Sequence, residues 1–264
     1  THYSLKDAIS SSAQLAEFAA KSGQPALAIT DHGNLIGAIE HYKACKSYGI
    51  KPILGCEIYL ATKSARSSNR TDGNKTTHLT VFASSNEGWT NLIKIISDAH
   101  INGMGSGKPR VDKSFLKAHS KGLIALSGCQ SSQISRAILE DNIQGAKASI
   151  EELQGIFGKD NFFLEIMRIN NPRQTKIEEA LLQLHKETNI PIVATNDIHW
   201  MCKGDYDVHD TMISIQGEEL KYSMDRKFKY DTKELYFKNT NEMRSIFSDI
   251  EEACDNTLLI SDMC

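Results

Sequence analysis

Ala26-Leu-Ala-Ile-Thr-Asp-His-Gly-Asn34 decides how this chain is read. The apolar run 26–30 has the length and composition of a buried β-strand. Asp31 and His32 stand where it stops, and Gly33 lets the backbone turn tightly behind them. A carboxylate and an imidazole at the end of a buried strand are costly unless they are paired or bound to a metal. Asn196-Asp-Ile-His199 repeats the arrangement after the strand-like run 192–195. Asp197 and His199 alternate with Ile198, so in extended chain both side chains face one way and can clamp one cation.

Further ligand types stand at other strand ends. Glu57 closes 53–56, His78 opens 79–83, Cys129 follows 123–127, and His2 stands at the front. Each has a plainer reading beside the functional one. Glu57 is a bridging carboxylate or a surface strand end, and His78 is a ligand or an ordinary strand-start residue. Cys129 is a ligand or a buried, inert thiol. His2 takes the place of the second member of a His-x-His pair whose first member would fall before Thr1. Folds that alternate strands and helices gather such residues at one mouth. Imidazole, carboxylate and thiolate together are the ligand types of zinc, manganese and iron. The pattern therefore points to a multinuclear metal centre and to hydrolysis of a resistant bond.

Strand-like and helix-like stretches alternate along the chain. Helical spacing runs over 35–48, 86–100, 133–139, 145–157 and 175–187, and strands over 51–60, 78–83, 123–127, 162–167 and 192–195. Short links between such units imply parallel strands and right-handed crossovers. About six units favour a distorted (β/α) barrel over an open doubly wound sheet. The polar stretch 64–76, with Arg66, Arg70 and Lys75, reads as a mobile loop or the middle of a long hairpin. From His209 the rhythm changes, which divides the chain into a barrel (1–208) and a helical extension (209–264). His41, His100, His119 and His185 fall on helical patterns as solvated or packing residues, and Cys45, Cys56 and Cys202 read as core.

The 264 residues suffice for a sizeable core. A net charge of −3 excludes a global basic field, so any nucleic-acid contact is local. No apolar run approaches the roughly 20 residues that span a bilayer. The six cysteines form no Cys-x-x-Cys pair and read as reduced thiols of a cytoplasmic protein. The P-loop, the dinucleotide Gly-x-Gly-x-x-Gly and the Gly-x-Ser-x-Gly elbow are absent from the sequence. The glycine-rich 103–107 followed by Lys108-Pro-Arg110 is either a basic contact for a phosphate backbone or a solvated loop. The chain opens on Thr-His-Tyr-Ser and closes on Cys264, which leads to the expectation of a piece of a larger protein.

Several longer stretches carry a resemblance: His2-Tyr-Ser-Leu-Lys-Asp7, Pro25 to Ala38, Gly49-Ile-Lys-Pro-Ile-Leu-Gly-Cys-Glu57, and Lys108-Pro-Arg-Val-Asp112. They continue in Gly122-Leu-Ile-Ala-Leu-Ser-Gly-Cys129, Phe163-Leu-Glu-Ile166 and Ala194-Thr-Asn-Asp-Ile-His199. Together they resemble the polymerase-and-histidinol-phosphatase (PHP) superfamily, and more narrowly the PHP domain at the N-terminus of bacterial DNA polymerase III alpha subunits. The resemblance implies an α/β fold, a distorted (β/α)7 barrel with a short C-terminal helical extension. It implies up to about three divalent cations, of zinc, manganese or iron. Carried over position by position, their ligands are His2, Asp7, His32, Glu57, His78, Cys129, Asp197 and His199, with Asp31 and Glu165 as accessory carboxylates. Asp197, Glu57 and His32 are the central, catalytic members, and Lys108 and Arg110 are candidate DNA contacts.

The implied chemistry is metal-assisted hydrolysis at a DNA 3′ end, a proofreading exonuclease within a DNA-replicating nucleotidyltransferase. The implied partners are the primer 3′ end, the remainder of the polymerase chain, a proofreading exonuclease subunit and the sliding clamp. Two alternatives stand beside this. One is a silent scaffold that braces the polymerase and docks a separate proofreading subunit, as in family members that have lost ligands. The other is a stand-alone phosphomonoesterase of the histidinol-phosphatase type.

Overall fold

Short-range signals build the first βα unit. Helix α1 (Ser12–Lys21) starts at Ser11, whose side chain accepts from the Gln14 N–H while the Gln14 side chain accepts from the Ser11 N–H. That reciprocal cap satisfies two donors the helix leaves unpaired. Strand β1 (Ala26–Ile29), helix α2 (Ala38–Ser47) and the long strand β2 (Lys51–Ala61) follow. The chain continues through β3 (Thr76–Ala83), α3 (Asn86–Asn102), β4 (Arg110–Val111), α4 (Lys113–Ala118) and β5 (Leu123–Leu126). Then come α5 (Gln133–Leu139), α6 (Ile143–Phe157), β6 (Phe162–Met167), α7 (Pro172–Thr188) and β7 (Ile192–Thr195), and last α8 (Tyr206–Gln216), α9 (Thr240–Ile246) and α10 (Glu251–Met263). This computed structural model describes residues 1–5, 7–62, 64–65, 76–104 and 107–264; the expected loop bearing Arg66, Arg70 and Lys75 lies outside them. No helix among the described residues is long and apolar enough to cross a membrane.

The seven strands form one curled sheet in the order β1-β2-β3-β5-β6-β7, with β4 beside β2. The expectation of parallel strands throughout needs correction at β3. It pairs antiparallel with β2, Ala61 opposite Thr76, and antiparallel with β5, Ala83 opposite Leu123. Parallel neighbours need a crossover that returns the chain to its starting end. Here β3 begins beside the last residue of β2, so the chain turns back on itself. The other pairs, β1 with β2, β5 with β6, and β6 with β7, are parallel as expected. The result is a half-barrel of the α/β class.

Alternation sorts the side chains of each strand. Ile58 and Leu60 of β2, Leu79 and Val81 of β3, Leu123 and Ala125 of β5, and Phe162 and Leu164 of β6 share one cluster with Leu92, Ile150 and Leu181 of the outer helices. The intervening residues Ile53, Phe82, Ile124, Leu126, Phe163 and Val193 form a second cluster on the concave side. Successive residues point to opposite faces, so Glu57, Tyr59, His78, Thr80, Glu165 and Thr195 belong to the concave side as well. Its apolar half lines a cavity of about 570 Å³ that reaches up to Glu57, Thr80, Glu165 and Asp197. Its polar half is a mouth.

Among the described residues no strand pairs β7 with β1. The gap is spanned by α10, whose Asn256 Nδ2 donates to Ile192 O at 2.7 Å, while Lys51 Nζ donates to Ser261 O at 2.6 Å. Ile260 of the same helix joins the concave cluster. Residues beyond 209 thus supply part of the barrel's interior.

Candidate metal centre

His32 and Glu57 are brought together by backbone pairing. Past the end of β1 the chain stays beside β2: Glu57 N–H donates to Asp31 O at 3.1 Å and Gly33 N–H to Glu57 O at 2.9 Å. Gly33 lies at φ +60°, and a Cβ there would come within 2.8 Å of Tyr59 and Pro109. Only glycine combines that backbone with that approach. Asp31 turns away from the mouth and accepts from Ser4 Oγ at 2.7 Å and from Thr1 Oγ1 at 2.7 Å. It anchors the short segment that carries Asp7.

The donor atoms converge. His32 Nε2 lies 2.5 Å from Asp7 Oδ2, and His32 Nδ1 lies 2.9 Å from Glu57 Oε1. His78 Nδ1 contacts the same Glu57 oxygen. His199 Nε2 lies 3.4 Å from Asp7 Oδ1. Two triads result, Asp7–His32–His199 and His32–Glu57–His78, each offering donor atoms within 4.8 Å of one another. Cys129 Sγ is 3.6 Å from His78 Nδ1, and Asp197 Oδ1 is 3.7 Å from His199 Nδ1. Asp197 holds φ +51°, outside the comfortable region for a residue with a Cβ, though one that Asp and Asn tolerate best.

Charge balance in this cluster is set by burial against pairing. Burial opposes a charged His32, but Asp7 and Glu57 beside it win and push its pKa up to about 11. Burial likewise opposes a charged His199, and Asp197 and Asp7 raise it to about 9. Burial would raise Glu57, yet His32 and His78 hold it well below the usual carboxylate range. Asp7 is also lowered, by His199 and His32 against burial. Elsewhere burial prevails: Asp197 is raised in spite of His199, Glu165 is pushed up to about 7, and the Cys129 thiol goes well above its ordinary value. Metal-free, the two imidazoliums therefore stand where a cation's charge is called for.

The residues fit a divalent cation. Glu57 Oε1 and His32 Nδ1 are buried and, despite their proximity, misaligned, so neither has a hydrogen-bond partner. Such atoms need an explanation, and a cation between them satisfies both. Imidazole nitrogens with carboxylate oxygens suit zinc, manganese or iron.

Other expected positions fall differently. His2 sits in a turn, its ring against Tyr3 at 4.4 Å, and joins neither triad. Its expected place on a first strand is corrected by that turn, which points Asp7 rather than His2 inward. Arg110 is 3% exposed, with Nε donating to Gly103 O and Nη2 to Ala65 O, so it ties a loop together and is not open to DNA. Lys108 is exposed, its Nζ 4.6 Å from the Tyr59 ring centroid. Glu165 is buried, accepting from Thr195 Oγ1 at 2.7 Å and Gly128 N–H at 3.0 Å, and so braces β6 against the ends of β5 and β7. Cys45 and Cys56 are buried as expected, whereas Cys202 is exposed, because it lies at the start of a surface turn rather than on an element.

Two partners in the cluster, Tyr230 and His209, were not among the expected site residues. Tyr230 donates its hydroxyl to Asp7 Oδ1 at 2.7 Å and lies 3.1 Å from His199 Nε2. His209 Nε2 contacts the Asp7 carbonyl, holding the backbone of the same residue. His209 had a signal in the resemblance of His209-Asp210 to the family, and Tyr230 had none.

Residues 1–169 match the PHP domain family. A DNA polymerase III subunit alpha from Thermus aquaticus is 39% identical over 245 residues, 91% of this chain and 20% of that one. Another from Treponema pallidum is 36% identical over 265 residues, 100% of this chain and 22% of the other. This chain thus spans about a fifth of the length of these relatives. Among solved structures, a presumed metal-dependent phosphoesterase from Bifidobacterium adolescentis overlaps 73% of this chain and 84% of its own at 19% identity, with a TM-score of 0.45. In sequence the chain is similar to bacterial DNA polymerase III alpha subunits, and it belongs to the PHP domain family.

Proposed function

We propose that this chain is the PHP module of a bacterial replicative polymerase alpha subunit and that it hydrolyses the phosphodiester at a DNA 3′ end. The observation that carries the reading is the pair of donor triads meeting at His32, with Glu57 Oε1 and His32 Nδ1 buried 2.9 Å apart and without an aligned hydrogen bond. Asp7, His32, Glu57, His78 and His199 would hold the metal, with Asp197 beside His199 and Cys129 beside His78 completing the set. A bound divalent cation would supply hydroxide near neutral pH and charge to offset the phosphate. The chain's own residues do the rest. Tyr230 fixes the Asp7 carboxylate and the His199 ring against each other. Glu165 holds the strand ends in register above the apolar concave residues.

In this reading up to about three cations of zinc, manganese or iron are bound, and Asp197, Glu57 and His32 are central to turnover. Segments 1–208 and 209–264 are barrel and extension of one module, since Tyr230 of the second reaches Asp7 of the first. The partners are the primer 3′ end and the rest of the polymerase chain, with a proofreading subunit and the sliding clamp reached through it, in the cytoplasm. The test is metal analysis together with digestion of a labelled primer. Asp197→Asn keeps a residue that tolerates φ +51° but removes the charge. It should leave the melting temperature near wild type and lower the rate about 100-fold. Undiminished digestion by Asp197→Asn would assign the activity elsewhere.

A further inference from the structure

Lys238 is 2% exposed, and an ammonium removed from water is costly unless it is paired. Its Nζ donates to Asn196 Oδ1 at 3.0 Å and to the Glu234 carbonyl. It also lies 3.5 Å from Glu234 Oε2 and 4.0 Å from the Tyr236 ring centroid. Lys238 belongs to neither donor triad. We propose that Lys238 is a positioning residue for the cation at Asp7–His32–His199: by holding Asn196 it fixes the turn that presents Asp197 and His199, while the His32–Glu57–His78 triad assembles without it. The cation rests on the metal reading given above; the hold on Asn196 does not.

Three observations carry the inference. The first is the direction of the Asn196 amide. An ammonium only donates, so Lys238 decides which end of that amide is the oxygen. With Oδ1 on Lys238, Nδ2 is left to donate to Glu234 O at 3.0 Å and to Tyr236 O at 2.8 Å. Asn196 is 7% exposed, so losing Lys238 would take the partner from an acceptor that water reaches poorly. Second, Asn196 directly precedes Asp197, which holds φ +51°. A residue with a Cβ keeps such a backbone only where its flanks are fixed. Asn196 is one flank. His199 is close on the other, its N–H donating to Leu235 O at 2.9 Å and its carbonyl accepting from Ile9 N–H at 3.1 Å. Segment 234–238 therefore grips both sides of Asp197, and Lys238 is its charged link to the nearer side. Third, the two triads draw on different parts of the fold. His32, Glu57 and His78 are set by backbone pairing among β1, β2 and β3, with Gly33 N–H on Glu57 O and Tyr59 opposite His78. Asp197 and His199 follow β7 and are set by the tail.

The experiment uses the whole chain, first in chelator, where amide hydrogen exchange reads the link without metal. Lys238→Met keeps the length of the side chain and removes its charge. The His199 amide should then exchange about 10- to 100-fold faster, the range for losing a hydrogen bond to a charged group. The Glu57 and Gly33 amides, beside the other triad, should exchange as in wild type. Asn196→Ala should give the same pattern, and the double variant should add little, because both changes break one link. Asn196→Ala also serves where Lys238→Met does not fold. Arg168→Met is the control for general loosening: its guanidinium joins Glu178, Asp249 and the Ile246 carbonyl, outside both triads. It should lower the melting temperature and leave the His199 amide protected. Cobalt titration of the same proteins then reads the cations. Wild type should load both triads. Lys238→Met should keep the cation whose thiolate absorption marks Cys129 beside His78, and bind the other about 10- to 100-fold more weakly. Wild-type exchange at His199 in Lys238→Met would overturn the proposal, as would equal loosening in Arg168→Met. Equal loss of both cations in Lys238→Met, or loss of neither, would overturn it too. If wild type binds no cobalt and Lys238→Met still frees the His199 amide, the hold on Asn196 stands and the metal reading falls.

Discussion

Tyr230→Phe removes one oxygen atom from the centre and leaves the ring in place. In the folded chain that oxygen donates to Asp7 Oδ1 at 2.7 Å and lies 3.1 Å from His199 Nε2, so a single hydroxyl orients two of the proposed metal ligands. Both groups are largely shielded from water, and a hydrogen bond to a charged acceptor contributes about 1.5–3 kcal/mol. For a domain of this size a loss of about 2 kcal/mol lowers the melting temperature by about 4–8 °C. The effect on metal should be larger than on folding. Without the hydroxyl, Asp7 Oδ1 keeps only His199 at 3.4 Å, and the carboxylate is held chiefly through Oδ2 by His32. Loss of such a partner commonly lowers metal affinity about 10- to 100-fold. Calorimetric titration of manganese or zinc into chelator-treated protein measures this directly. Tyr236→Phe is the control, because its hydroxyl contacts Glu242 at 3.2 Å, outside the cluster. Wild-type affinity in Tyr230→Phe, or an equal loss in Tyr236→Phe, would refute the idea that the tail completes the centre.

Further outcomes follow from the same coordinates. A Cβ on Gly88 would sit 1.8 Å from Gly122 O, so Gly88→Ala should cost about 3 kcal/mol or more in denaturant unfolding. Gly155, inside α6 with nothing within 4 Å of a Cβ, should gain about 0.5–1 kcal/mol on Gly155→Ala. The metal-free chain should also lose stability in alkali. His32 at about 11 and His199 at about 9 exceed imidazole's 6.5, so their contribution is whole below pH 6.5 and is lost as pH rises through 9 and then 11. Metal affinity should rise over the same range because the cation displaces those protons. A melting temperature that stays flat from pH 6.5 to 9 in chelator would contradict the imidazolium assignment.

Much of the site was legible because its residues interrupt patterns. Asp31 and His32 end an apolar run, and Glu57 breaks the alternation of a buried strand, although it lies within the eleven residues of β2 and not at its end. Asp7 was not legible this way. It stands on no strand, and only the resemblance pointed to it. Tyr230 and His209 were out of reach for a different reason: their partner Asp7 is more than 200 residues away along the chain. Arg110 looked like a surface cation because charge is a property of sequence and burial is not. Its guanidinium became structural by taking the carbonyls of Gly103 and Ala65. His2 has a ligand's chemistry, but it lies in a turn where period-two reasoning does not apply.

The reversed strand β3 shows that the sequence held more than alternation alone extracts. Alternation is the same in parallel and antiparallel strands, so it says nothing of direction. The gradient along the concave face does. In β2 the order runs from Ile53 to Glu57, in β6 from Phe163 to Glu165, and in β7 from Val193 to Thr195, followed by Asp197: apolar first, polar last. In β3 it runs from His78 through Thr80 to Phe82, polar first and apolar last. A barrel with one polar mouth and one apolar floor must place every polar end on the same side, because a buried charge without a partner is costly at the floor. A strand whose gradient is inverted in sequence must therefore be inverted in space. That inference required neither a turn signal nor the residues between β2 and β3. It explains why His78, at the start of its strand, meets Glu57, well along another.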